Sequence, residues 1–281
     1  MPDQRVLVLG ANGQLGKALR AEFPSAVFYG REECDLSQPE KVSELPFDNC
    51  DVIINAAAYT AVDAAETSEG AALAEVVNAS AVEALSNAAT EHGILLVHVS
   101  TEYVFDGTKK TPYLETDHFN PLGVYAQTKA QGDLAVQQVP QHYLLRTSWV
   151  IGDGNNFVRT MSSLAERGIK PSVVNDQIGR LTFAQDLAAA IRHLFESKSP
   201  FGAYNFSNEG PASSWADIAA KVYELTGHNP ADITGVSTEE YFAGKEGIAP
   251  RPLWSMLDLS KIEATGFIPA SWEVRLKEYL A

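Results

Sequence analysis

Two hydrophobic periods alternate along the first half of the chain. Short apolar runs rich in β-branched residues predict strands over residues 5–9, 26–29, 52–55, 95–100 and 143–147. Longer helical patterns separate them, over residues 14–22, 125–138 and, in one piece or two, 71–92. This alternation is typical of βαβ units, whose right-handed crossovers build a parallel sheet with helices on both faces. We therefore predict an α/β fold with a doubly wound parallel sheet.

The regular alternation of strand and helix patterns ends after Trp149, where Gly, Asn and Pro become frequent. Separate helices are predicted there over residues 156–167, 184–195 and 214–226. Ser214, with Asp217 three residues later, resembles a capping box, and Gly93 and Gly227 stand where helices end. We expect one domain over residues 1–149 and a smaller C-terminal lobe over residues 150–281, from which strands can return to the first sheet.

Composition narrows the possible partners. The chain has 281 residues and a formal net charge of −15, which repels nucleic acid and anionic membranes. It contains no run of 18 apolar residues and no signal-like N-terminus, so we expect a cytoplasmic protein that binds neither nucleic acid nor a membrane. Cys34 and Cys50 lack metal-ligand spacing and are expected to be reduced thiols.

A glycine-rich turn follows the first predicted strand. Glycines allow such a turn to approach a pyrophosphate closely, and the N-terminus of the next helix offers free N–H groups to the anion. A lone glycine triplet also occurs in ordinary turns, but its position after the first strand favours a Rossmann-type dinucleotide site. The residues predicted to contact the cofactor here are Gly10, Asn12, Gly13, Gln14, Leu15 and Gly16.

The second predicted strand is followed by a basic residue. An acid that reads the cofactor ribose usually lies about 20 residues beyond the loop, but this chain has Arg31 there. Arg31 could meet a 2′-phosphate, which favours NADPH. Glu32 and Glu33 weaken that preference, so NADH stays open as a second cofactor.

Three hydroxyl and amine side chains form a candidate catalytic group. Thr101 lies at the end of an apolar strand, and Tyr125 and Lys129 share one face of a helix because they are four residues apart. The Lys129 ammonium is expected to lower the pKa of the Tyr125 phenol, which could then protonate an oxyanion. Alone, the Tyr/Lys pair could be a surface aromatic beside a salt-bridging lysine. Combined with the glycine loop, it indicates a short-chain dehydrogenase.

Several ordered segments narrow this class. The chain reads GANGQLG at 10–16, NAAAYTAVD at 55–63, STEYVFDG at 100–107, RTSWV at 146–150 and NDQIG at 175–179, with Thr182 and an Arg-Pro pair at 251–252. With these segments the chain resembles the dTDP-4-dehydrorhamnose reductase family over residues 5–281. The resemblance implies reduction of the C4 keto group of a dTDP-sugar by NADPH or NADH. It also implies that the C-terminal lobe next to the Rossmann domain binds the substrate.

The resemblance also implies individual roles. Thr101 would donate a hydrogen bond to the ketone, Tyr125 would donate the proton and Lys129 would be its electrostatic partner. Further cofactor contacts would be Asp35, Leu36, Asn55, Ala56, Ala57, Ala58, Tyr59, Asn78 and Ser100, and Tyr125 and Lys129 would also contact the cofactor. The substrate would contact Val62, Glu102, Tyr103, Trp149, Arg180 and Arg251, of which the arginines would meet the diphosphate.

Two positions depart from the family pattern. Glu102 replaces the usual Asp and is one methylene longer. Some members carry an acidic residue two positions beyond the third loop glycine, where it binds a dimer-bridging magnesium ion, but this chain has Ala18. We therefore expect no metal site, no magnesium requirement and a monomer.

Other functions stay open at this point. A reductase or epimerase of another nucleotide sugar could share the fold, and so could a non-catalytic dinucleotide-binding subunit like that of methionine adenosyltransferase. Related reductases also cooperate with, or are fused to, the dTDP-4-dehydrorhamnose 3,5-epimerase that precedes them.

Overall fold

The computed structural model describes residues 5–281. Its strands are β1 (Val6–Leu9), β2 (Val27–Tyr29), β3 (Val52–Asn55), β4 (Leu95–Thr101), β5 (His142–Thr147), β6 (Val150–Ile151), β7 (Ser172–Val174), β8 (Ile178–Gly179), β9 (Thr182–Phe183), β10 (Gly202–Phe206), β11 (Ser213–Ser214) and β12 (Thr234–Val236). Its helices are α1 (Gln14–Glu22), α2 (Ser68–Glu75), α3 (Ala81–His92), α4 (Val124–Val136), α5 (Phe157–Glu166), α6 (Ala184–Glu196), α7 (Trp215–Leu225), α8 (Thr238–Phe242), α9 (Ser260–Glu263) and α10 (Trp272–Leu280).

The central sheet is parallel throughout. Its strands lie in the order β10-β5-β4-β3-β1-β2, and all adjacent pairs run in the same direction. Leu9 therefore lies opposite Asn55, and Thr101 lies opposite Thr147, at the carboxyl edge of the sheet. Ligands of open α/β sheets bind outside this edge.

Both faces of the sheet are covered, as a parallel sheet requires. Alternate residues of β1 pack on opposite sides: Val6 and Val8 join one apolar cluster, and Leu7 and Leu9 join the other. Helices α1 and α6 cover the first face, while α3 and the end of α4 cover the second. The doubly wound parallel fold predicted from the sequence is thus confirmed.

Most of the predicted local structure is also confirmed. Ser214 and Asp217 form a capping box at the start of α7. Gly93 and Gly227 have φ of 65° and 79°, the left-handed conformation that glycine adopts readily at helix ends. The predicted helix over residues 71–92 is divided, because a π-helical turn at Val76–Ser80 separates α2 from α3.

The C-terminal part of the chain builds a second core. Helices α5, α7 and α10 pack around residues such as Val158, Val222 and Leu276. The paired short strands there are β6 with β9, β7 with β12 and β8 with β11. The chain nevertheless returns to the large sheet after residue 150, because α6 packs on α1 and β10 pairs with β5. Among residues 5–281, no helix is long and apolar enough to cross a membrane.

Candidate active site

The glycine loop forms the floor of the site between β1 and α1. Gly10 has a φ of 84°, and a Cβ there would lie 2.7 Å from the Ala57 backbone nitrogen. A Cβ on Gly16 would lie 2.1 Å from the Gly10 carbonyl oxygen, so α1 can approach β1 only with glycine at that position. No side chain caps α1 at Gly13, and its first turn has no acidic residue. The N–H groups of that turn are therefore available to an anion.

Two cavities meet over this loop. The larger, of about 500 Å³, is lined by residues 13–15, Ala56, Ala58, Thr60, Val62, residues 99–103, Tyr125, Lys129, residues 147–150 and Leu187. The smaller, of about 230 Å³, is lined by Gly10, Asn12, Gly13, Gly30, Arg31, residues 34–37, residues 56–58 and Val77. Because both include Gly13, Ala56 and Ala58, they form one trough across the carboxyl edge of the sheet.

A bigger groove, of about 860 Å³, lies at the opposite edge of the sheet. Arg5, Leu95 and Tyr143, at or near the start of their strands, contribute to its walls. Neither the glycine loop nor the predicted catalytic group borders it, so the chemistry belongs to the trough.

Thr101, Tyr125 and Lys129 come together in the larger cavity. Thr101 is the last residue of β4, whereas Tyr125 and Lys129 lie on the first two turns of α4. The Thr101 hydroxyl donates to Glu102 Oε2 over 2.9 Å and accepts from the Tyr103 backbone N–H over 3.2 Å. A ketone in this cavity would meet hydroxyl donors from two different elements.

The groups that shift the pKa of Tyr125 are not the one expected from the sequence, which was the Lys129 ammonium. Burial raises the pKa of the phenol, and the Glu102 charge raises it further, while the Thr101 hydroxyl acts in the opposite direction. Lys129 Nζ donates to the Val99 carbonyl over 2.9 Å instead of addressing the phenol. Burial also lowers the pKa of Lys129 to about 8, against the attraction of Asp133.

Glu102 is a buried carboxyl group with an unused oxygen. Burial raises the pKa of Glu102 to about 7, and the hydrogen bond from Thr101 only partly offsets this. Among the described residues, Glu102 Oε1, Ser100 Oγ and Thr147 Oγ1 are buried without a hydrogen-bond partner. All three residues line the larger cavity. Because buried polar atoms are usually paired, these atoms fit a polar ligand such as a sugar.

Two asparagines hold the strand-to-loop segment that borders the trough. The Asn55 side chain accepts from the Ala57 backbone N–H over 3.1 Å. The Asn78 side chain accepts from the Tyr59 N–H over 2.9 Å and donates to the Tyr59 carbonyl over 3.1 Å. Asn55, Tyr59 and Asn78 thus support the lining from behind, whereas Ala56, Ala57 and Ala58 form it.

Aromatic rings close the far end of the larger cavity. Trp149 has a φ of 46°, which is rare for a non-glycine residue, and its ring stacks on Trp215 with a centroid distance of 3.8 Å. Tyr103 meets Tyr125 edge to face at 5.7 Å. Gly179 lies against the Trp149 indole, which a Cβ there would approach to 2.8 Å.

The three predicted phosphate-binding arginines have different surroundings. Arg31 is 80% exposed, 3.9 Å from Asp35, and lines the smaller cavity with Asp35 and Leu36. Arg251 pairs with Asp63 and lines an adjoining cavity of about 330 Å³ that also includes Trp215. Arg180 is buried, donates to the Leu257 carbonyl over 2.6 Å and is not among the residues that line the trough.

Sequence reasoning missed several residues of this site. Thr147, Ser148 and Val150 line the cavity and lie in the RTSWV segment, but no role was predicted for them, and Leu187 lies in no recognisable motif. His98 contacts both Asn55 and Lys129, and its only signal was a polar residue inside an apolar strand.

A glycine loop after the first strand, together with a Thr, a Tyr and a Lys in one cavity at the carboxyl edge, defines a short-chain dehydrogenase of the extended type. Comparisons with known proteins specify it further. The family model described as the RmlD substrate binding domain matches residues 4–281. The chain is 38% identical to the dTDP-4-dehydrorhamnose reductase of Aggregatibacter actinomycetemcomitans, with 99% of this chain and 98% of that protein covered. The chain therefore belongs to the dTDP-4-dehydrorhamnose reductase family.

Solved structures agree with this assignment. A dTDP-4-dehydrorhamnose reductase from Clostridium acetobutylicum superposes with a TM-score of 0.90 at 35% identity, covering 99% of this chain and 98% of that one. The Bacillus anthracis reductase, solved in complex with NADP, gives a TM-score of 0.90 at 34% identity with the same coverage.

Proposed function

We propose that this chain reduces the C4 keto group of dTDP-4-dehydro-β-L-rhamnose to give dTDP-L-rhamnose, using NADPH and, less well, NADH. The observation that carries the proposal is the meeting of Thr101, Tyr125 and Lys129 in one cavity with the glycine loop. Family membership supports the choice of substrate.

The trough fits a nicotinamide dinucleotide. The uncapped first turn of α1 and the close approach that Gly10 and Gly16 allow suit a pyrophosphate. Arg31, Asp35 and Leu36 would surround the adenosine end, and Lys129 and Ser100 would lie near the nicotinamide end. When bound, the cofactor supplies the hydride that reduces the ketone carbon.

Tyr125 delivers the proton to the ketone oxygen. The phenol, whose pKa burial raises, is protonated at the start of the reaction and gives up its proton as negative charge develops on that oxygen. The Thr101 hydroxyl has one proton, and it points at Glu102. A protonated Glu102 can donate to Thr101 instead, which frees the Thr101 proton for the ketone. The pKa of Glu102, about 7, makes both forms accessible near neutral pH.

The remaining cavity wall recognises the dTDP-sugar. Trp149, Tyr103 and Val62 offer apolar surface to the sugar ring, and the unpaired Glu102 Oε1 accepts from a sugar hydroxyl. Arg251 is the better candidate for the diphosphate, since it lines a cavity bordered by Trp215, which stacks on Trp149, and it would exchange its pairing with Asp63 for the diphosphate. Arg180 lines neither cavity of the trough.

The test is oxidation of NADPH on addition of dTDP-4-dehydrorhamnose generated by the 3,5-epimerase, with the product identified by NMR. UDP- and GDP-linked 4-keto sugars serve as controls. Turnover of the dTDP-sugar at least tenfold above the controls is expected. Faster reduction of a UDP- or GDP-sugar would replace the proposed substrate, and no oxidation with any of them would remove the reductase function.

A further inference from the structure

We propose that Tyr279 on α10 is a positioning residue of the cofactor loop: its hydroxyl fixes the Gly152 backbone, and Gly152 in turn holds Gln14 at the start of α1. The effect on cofactor binding rests on the proposed function, whereas the effect on the backbone does not.

Helix α10 brings the hydroxyl to Gly152. Trp272, Leu276 and Tyr279 share one face of the helix, because they are four and three residues apart. Trp272 and Leu276 are buried in the second core, and the Tyr279 ring packs against Phe183 at a centroid distance of 5.8 Å. The core thus holds the ring, and the hydroxyl at its end lies 2.8 Å from the Gly152 carbonyl oxygen.

The direction of that hydrogen bond follows from the neighbouring donors. The Tyr279 oxygen accepts from Arg159 Nε over 2.7 Å and from Asn156 Nδ2 over 2.9 Å. The Asn156 amide cannot turn round, because its Oδ1 accepts from the Arg159 backbone N–H at the start of α5. Both groups can only donate, so the single phenolic proton is left for the Gly152 carbonyl.

Gly152 connects this network to the glycine loop. Its backbone N–H donates to Gln14 Oε1 over 2.7 Å, while its carbonyl accepts from Tyr279 and from Asn156 Nδ2. A Cβ on Gly152 would lie 2.9 Å from the Cβ atoms of Gln14 and Ala184, so glycine allows this close approach to α1. Glycine also leaves the adjoining peptide groups free to rotate, and hydrogen bonds must therefore fix them.

Gln14 transmits this order to the cofactor site. It is the first residue of α1, borders the larger cavity and belongs to the turn whose N–H groups are available to a pyrophosphate. Without the Tyr279 hydroxyl, the Gly152 carbonyl loses one of its two donors, and the peptide that holds Gln14 gains freedom. A less ordered turn binds an anion more weakly, because binding then has to order it.

The first test measures the backbone of the protein without ligands. In Tyr279→Phe, the ring and its packing are kept, and amide hydrogen exchange should quicken roughly three- to tenfold in residues 10–17 and 149–156. Gln14→Leu cuts the same link from the other side and should quicken exchange in both segments. It decides the question if Tyr279→Phe does not fold.

Tyr223→Phe is the matched control. It removes a hydroxyl that donates to the Ile169 carbonyl over 2.8 Å in the same core, and neither residue lines the trough. Exchange in residues 10–17 should stay at the wild-type rate in this variant. Unchanged exchange there in Tyr279→Phe, or an equal increase in Tyr223→Phe, would overturn the proposal.

The second test measures the binding of NADP⁺ by titration calorimetry. Tyr279→Phe should weaken it roughly three- to tenfold. In the Gln14→Leu background the same substitution should have no further effect, because the link is already cut. A general loss of stability would instead add to the effect of Gln14→Leu, and that outcome would overturn the proposal. If the wild type binds no NADP⁺, the proposed function fails, and hydrogen exchange still decides the role of Tyr279.

Discussion

Tyr125 is the residue whose single change should most affect turnover. In Tyr125→Phe the ring keeps its edge-to-face contact with Tyr103, but the donor to the ketone oxygen is lost. General acid catalysis contributes about 10²–10⁴-fold, so kcat should fall by that factor. Quenching of protein fluorescence by NADPH should give an unchanged Kd. A kcat within about twofold of wild type, with chemistry shown to limit the rate, would contradict the role.

Glu102 should make stability depend on pH. Burial raises its pKa from 4.5 to about 7, so the unfolded chain ionises first as pH rises. The stability associated with the protonated form is complete below pH 4.5 and is lost up to about pH 7, a loss of about 3 kcal/mol. Glu102→Gln cannot ionise. Urea unfolding at pH 5 and pH 8 should therefore show the variant gaining on wild type at the higher pH, whereas parallel changes would mean that Glu102 ionises freely.

Arg31 should determine the choice between cofactors. It is highly exposed and only loosely paired with Asp35, so it can turn towards a 2′-phosphate. Solvent screening limits such a contact, and Arg31→Ala should weaken NADPH binding roughly tenfold with little effect on NADH. Arg31→Lys, which keeps the charge, should lose less. Equal weakening of both cofactors, measured by titration calorimetry, would show that Arg31 does not read the phosphate.

Single residues also mark how far the sequence could predict the site. Tyr125 and Lys129 were predictable because helical spacing fixes their common face. The partners of Lys129 were not, since Val99 and His98 come from a strand that only the folded chain brings close. The diphosphate contact of Arg180 stays a prediction, and its hydrogen bond to the Leu257 carbonyl could not be predicted because the two residues are 77 positions apart in the sequence.

Among the elements, the junction of β1 and α1 should be the most sensitive to added volume. A Cβ at Gly16 would overlap the Gly10 carbonyl, and such overpacking costs about 1–3 kcal/mol. At Gly13 a Cβ would come no nearer than 3.4 Å to that carbonyl. Gly16→Ala should therefore lower the melting temperature, while Gly13→Ala should keep it and weaken cofactor binding. Equal melting temperatures would refute the close approach of the helix.

The elements that local patterns predicted are those with strong periodicity and clear end signals. Helix α1 begins and ends where expected, because apolar residues such as Leu15 and Leu19 repeat at helical spacing. The return of β10 to the sheet beside β5 was left open, since pairing partners far apart in sequence carry no local signal. The π-helical turn that contains Asn78 could not be predicted either, because Asn78 contacts Tyr59, which lies 19 residues earlier in the sequence.

At the scale of the whole molecule, the site joins the two parts of the chain. Gln14 at the start of α1 accepts from the Gly152 backbone N–H over 2.7 Å, and Lys17 pairs with Asp153. The cofactor loop is thereby tied directly to the segment that follows Trp149. Substitutions at Gln14 or Lys17 would therefore affect the binding of both the cofactor and the substrate, although the two apolar cores of the chain are separate.

The molecule should work without magnesium. The family resemblance implies an acidic, magnesium-binding residue in some members at the position of Ala18 on α1. The Ala18 methyl group packs, partly buried, against the core and cannot coordinate a cation that requires oxygen ligands. Glu22, one turn further along the helix, would require a displaced site. Turnover in excess EDTA should equal turnover with added magnesium, and light scattering should give the mass of a monomer, near 30.4 kDa, in both. A dimer that dissociates on chelation, with activity lost and then restored by magnesium, would show that other residues replace the missing carboxylate.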